Sequence, residues 1–138
     1  MPNTHWHIAT GLAGYGPDGS DGYGTADSPA SLAAALTDEL ARHASAEWET
    51  ADVYGDDGQY EQAWRTLTRA RGLETLAHNF DPKRANSPLY RHDPAAWEST
   101  VEDMTRKTFP LDVSHNTRLY VWECELDSAV CEHAKEES

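Results

Sequence analysis

At 138 residues the chain suits a single domain, 1–138, long enough to bury a sizeable core. It carries 24 acidic against 11 basic residues, for a formal net charge of −13, which excludes ready binding to nucleic acid or anionic membranes and favours basic partners. Apolar content is a modest 38 %, but five Trp and six Tyr can each bury a large area, which argues against full disorder.

No apolar run approaches the length of a membrane span. The first residues, MPNTH, offer neither a basic region nor an apolar h-region, so a cytoplasmic location is expected. Two cysteines in such a chain fit thiols or metal ligands better than a structural disulfide.

Residues 4–10 (THWHIAT) read as a strand, with Trp6 and Ile8 on one side and His5 and His7 on the other. A glycine-rich segment, 11–27, follows and reads as a loop too flexible for regular structure. Ser28-Pro29 is a helix start: the Ser side chain can cap free N–H groups, and Pro loses nothing at the first helical position. Leu32, Leu36 and Leu40 then recur four apart, and the helix is expected to run to about Tyr54. The GDDG segment at 55–58 must turn the chain. A second helix, about 59–77, presents Tyr60, Ala63, Trp64, Leu67 and Ala70 on one face.

The spacing A-x2-Y-x3-G-x-Y-x2-A-x3-L-x2-A across this pair is that of a tetratricopeptide-type hairpin. There is one copy, so a helix hairpin is expected and a repeat protein is not. Residues 79–92 form a polar, locally basic loop. Asp93-Pro94 opens a third helix, with Trp97, Val101 and Met104 on its buried face, ending before Phe109-Pro110. Residues 118–125 (RLYVWECE) make the strongest strand, and the acidic tail, 126–138, is expected to fray. The fold class is therefore α+β, with three main helices, two of them an antiparallel hairpin, on a small antiparallel sheet joining 4–10 to 118–125. The expected core is Leu36, Leu40, Trp48, Trp64, Leu67, Trp97, Val101, Leu119 and Val121.

The charge is segregated. Residues 18–57 hold ten acids against the single base Arg42, and 123–138 hold six against Lys135. The stretch between is close to neutral. Asp38, Glu39, Glu47, Glu49, Asp52, Asp56 and Asp57 are the candidate binding residues. Asp38, Glu49 and Asp52 oppose the Leu stripe, whereas the helical period puts Glu47 beside it. Plain solvation would produce such a face; so would docking on a basic groove of another protein.

Cys124-x6-Cys131-x-His133 supplies soft and borderline donors of the kind zinc takes, and His5 or His7 could complete a tetrahedron if the two strands pair. The spacing is wider than in most zinc knuckles, so a buried Cys124, an exposed Cys131 and an incidental His133 stand as the other reading. The His5–His7 pair could also share proton-transfer work, against the commoner outcome of packing on Tyr or Trp. GYGPDG at 14–19 matches G-x-G-x-x-G by accident: no helix starts there and Asp18 would repel phosphate. G-x-S-x-G, Walker A and H-E-x-x-H motifs are absent.

Three stretches, THWHIATGLAGYGPDG, NFDPKRANSPLYRHDPAAW and FPLDVSHNTRLYVWEC, resemble a family of small acidic proteins of actinobacteriophages and related actinobacteria. The resemblance carries over no catalytic residue. It implies a phage setting, in which small acidic proteins often bind and inhibit host machinery. The expectation is a non-enzymatic protein with no cofactor, docking on a basic host protein as an inhibitor or nucleic-acid mimic. The alternative is a zinc-stabilised module using Cys124, Cys131 and His133.

Overall fold

The computed structural model describes residues 5–12, 17 and 23–124. Strands β1 (His5–Leu12) and β2 (Tyr23–Ala26) are followed by helices α1 (Pro29–Asp56) and α2 (Tyr60–Phe80). A short 3-10 turn (Pro82–Asn86) leads to α3 (Pro94–Thr108), and β3 (Leu111–Asp112) and β4 (Thr117–Cys124) complete the described chain. The sheet is antiparallel throughout, in the order β2-β1-β4-β3. The α+β architecture and the pairing of the two outer segments of sequence are as expected.

Local chemistry explains the helix boundaries. Ser28 and Ser31 form a reciprocal cap, each hydroxyl accepting from the other's backbone N–H at 3.1 Å, with Pro29 in the first turn. The Asp93 carboxylate accepts from the Ala96 N–H at 3.2 Å and opens α3 in the same way. Gly58 takes a φ of 78°, a left-handed geometry that a side chain would resist, and turns the chain between α1 and α2. The Gln59 N–H then reaches back to the Tyr54 carbonyl at 2.8 Å, closing the helix end.

The core lies between the helices and one face of the sheet. Leu32, Leu36, Leu40 and Ala44 from α1 meet Leu73, Ala77 and Phe80 from α2 and Trp97 and Val101 from α3. Trp6, Ile8 and Leu119 close it from the sheet. One donor there goes unmet among the described residues, the indole N–H of Trp6. Val121 is half-buried and packs on the same cluster.

Three expectations need correcting. Trp64 is not core: it is 62 % exposed, while Trp48 and Leu67 are half-buried. The buried row of α2 is Thr66, Ala70, Leu73, Ala77 and Phe80, and Trp64 stands about 160° round the helix from Thr66. Small buried residues on both helices, Ala44 and Ala51 on α1 and Ala70 and Ala77 on α2, make the seam, and Trp64 points away from it. Second, the glycine-rich segment contains a strand, because β1 offers its free edge to residues 23–26. Third, β3 was not foreseen. Two residues suffice for it because Leu111 and Asp112 pair with Leu119 and Arg118 and because Arg118 Nε donates to Asp112 at 2.9 Å. That carboxylate also raises the pKa of the Arg118 guanidinium.

Candidate functional site

The β1–β4 register places His5 opposite Cys124 and His7 opposite Trp122. Alternation then sends all four side chains to the face of the sheet away from Trp6 and Ile8. Both faces of β1 are nonetheless covered: His5 is 1 % and His7 0 % exposed. The two imidazoles meet edge to face with centroids 4.6 Å apart, and their Nε2 atoms lie 3.0 Å from each other. In a neutral pair one nitrogen donates and the other accepts, so the two share a single proton at that contact. His7 stacks on Trp122 at 5.2 Å. Cys124 is half-buried, and the three ligand atoms of His5, His7 and Cys124 all lie within 4.8 Å of one another.

This partly redraws the expected metal set. Both histidines, not one, come together with Cys124, whereas Cys131 and His133 lie outside the described residues, as does the 126–138 tail. The burial of the rings against each other and Trp122 gives no open face to a substrate, and the catalytic reading of the pair is set aside on that ground.

No protein family, curated protein or solved structure matches this chain. Its chemistry has to be read from its own geometry.

The acidic candidates divide into two kinds. Glu47 is buried and bound to Arg69 at 2.8 Å across the α1–α2 seam, so it belongs to the packing and not to a docking face. Glu39 is half-buried and held by Arg42 at 2.7 Å and His43 at 3.6 Å. The hydrogen bond from His43, opposed by burial and reinforced by Arg42, lowers its pKa below the ordinary 4.5. Asp38, Glu49, Asp52, Asp56 and Asp57 are exposed and, among the described residues, form no ion pair. Asp38, Glu49, Asp52 and Asp56 fall within about 60° of one another on α1, centred opposite the buried Leu row.

Where α1 turns into α2, the chain also exposes apolar surface. Val53, Tyr60 and Trp64 are 60 %, 74 % and 62 % exposed. Tyr60 and Trp64 are one turn apart on the same side of α2. The nearest bases are spent on acids, Arg65 on Glu61 at 2.7 Å and Arg69 on Glu47. A separate cleft of about 300 Å³ lies between β1, β2 and α1, lined by Ile8, Thr10, Thr25, Asp38, Glu39 and Leu119. Sequence reasoning missed the hairpin end because it assigned Trp64 to the core; the signal was available in the Thr66-Ala70-Leu73 row. Among the described residues no helix is long and apolar enough to cross a membrane.

Proposed function

We propose that this chain is a non-enzymatic docking protein whose hairpin end binds a basic surface of another protein. The observation that carries the reading is the exposed Val53, Tyr60 and Trp64 at the hairpin end, where the chain also exposes Asp52, Asp56 and Asp57 close by in sequence. Large aromatics left in water cost free energy that association recovers, and Trp and Tyr are the residues that most often dominate interface energetics. The flanking acids give the partner its sign: it presents Lys and Arg around an apolar recess.

Charge density decides between direct docking and imitation of a duplex. Asp38 to Asp56 spans about 27 Å of helix, and four carboxylates on that face amount to about one charge per 7–9 Å. Duplex DNA carries about one charge per 1.7 Å of its axis. The face is several-fold too sparse to stand in for a nucleic acid along its length, and its apolar end has no phosphate counterpart. Docking on a basic, partly apolar protein surface fits better. The resemblance to small acidic actinophage proteins makes a host protein, met in the host cytoplasm, the partner of this reading.

The test is affinity purification from an actinobacterial host lysate at 0.1 M and 1 M salt, with wild-type and Trp64→Ala bait. Raising the salt shortens the screening length from about 10 Å to about 3 Å and should weaken capture steeply. Trp64→Ala should lose the same partner at low salt. A captured protein that is neither basic nor salt-sensitive, or that Trp64→Ala retains in full, would refute the reading.

A further inference from the structure

We propose that His5, His7 and Cys124 bind a zinc ion at one end of the central strand pair β1–β4, independently of the hairpin end. Strand geometry assembles the three donors. His5 and His7 are two apart on β1 and share a face, and the β1–β4 register sets Cys124 directly across from His5. A slip of one residue in that register would separate the thiol from both imidazoles.

The distances suit the ion. A tetrahedral zinc with bonds of about 2.0–2.1 Å to nitrogen and about 2.3 Å to sulfur sets its donors about 3.3–3.6 Å apart. The two Nε2 atoms stand at 3.0 Å, and no pair in the triad exceeds 4.8 Å. Closing the set requires the two Nε2 atoms to part slightly from 3.0 Å. The donor chemistry suits it as well, since two imidazoles and a thiolate are the mixed nitrogen–sulfur set that zinc favours over magnesium or calcium.

Proton accounting is simple. In the apo protein one proton sits between the two Nε2 atoms and the thiol can carry another. Zinc bonding to both Nε2 lone pairs shifts the donor ring to its Nδ1–H tautomer, so both imidazoles stay neutral; only the thiol proton leaves to solvent as the thiolate binds, with no change in oxidation state. The buried rings, with Trp122 stacked on His7, keep that side of the ion dry and fix the ligand orientation. Cys124 is half-buried at the end of β4, and a tetrahedral ion held by these three donors takes one further ligand.

Cobalt(II) titration of untagged, reduced, chelator-treated protein tests the site. A single equivalent should give a thiolate-to-cobalt charge-transfer band and the intense visible bands of a tetrahedral centre, both abolished by zinc. Cys124→Ser should lose the charge-transfer band. Zinc at a hundred times its Kd should raise the melting temperature by roughly 10 °C. X-ray absorption at the zinc edge of the wild-type protein should report imidazole nitrogen and one sulfur, which needs no variant to fold. Absence of stoichiometric binding, a charge-transfer band that survives Cys124→Ser, or a zinc spectrum without imidazole would each overturn the assignment.

Discussion

The histidine pair on the central strand β1 and the far end of the helical hairpin invert the usual rule of burial. At the sheet, two imidazoles that prefer water are enclosed, 1 % and 0 % exposed. At the hairpin, an indole and a phenol ring that prefer the interior stand in solvent. Each departure from the default costs free energy, and each is a place where packing alone does not account for the residue chosen. The polar groups at the sheet are paired with one another and with Trp122; the apolar groups at the hairpin stand in solvent. One region is built inward, toward a small ligand held by its own side chains, and the other outward, toward a large partner.

Removing a ring from each region should expose that difference most sharply. His7→Ala deletes a buried side chain stacked on Trp122 and should cost about 3 kcal/mol in urea unfolding. Trp64→Ala, on an exposed helix face, should shift stability by less than about 0.5 kcal/mol. Equal costs would erase the distinction between the two regions. For partner binding the order reverses: Trp64→Ala should lose about 2 kcal/mol or more, some thirtyfold in Kd by calorimetry, and His7→Asn should lose none.

The acids sharpen the comparison at smaller scale. Glu47→Ala strands Arg69 in the α1–α2 seam and should destabilise by about 2 kcal/mol, less than a fully buried pair because Arg69 is partly in water. Asp52→Ala, on the opposite face, should leave unfolding within about 0.5 kcal/mol of wild type while weakening capture of a basic partner. The smallest effect belongs to Glu39. Its folded pKa is lowered, so its stabilisation is fully present above the unfolded value near 4.5 and is lost as pH falls through the folded one. Glu39→Gln lacks that ionisation, and its melting temperature should decline less steeply below pH 4.5 than that of the wild type.

The sequence by itself determined the helices, because capping and periodicity are local. Ser28-Pro29 and Asp93-Pro94 mark starts that the structure keeps within a residue, and the Leu32-Leu36-Leu40 row alone identifies the buried face of α1. It also determined that His5 and His7 share a face, since alternation is a property of a single strand. It could signal that Glu47 sat on the wrong side for a docking residue, but not that Arg69 would meet it. What only the tertiary structure decided is relational. The face of α2 that meets α1 depends on how closely two backbones approach, and that choice turned Trp64 from a core residue into a surface one. The short strands β2 and β3 exist because β1 and β4 offer them edges, not through propensity of their own. The meeting of His5 and His7 with Cys124 depends on the register between strands more than a hundred residues apart. Nothing in either segment fixes that register alone; the sheet sets it by burying Trp6, Ile8 and Leu119 together on its other face.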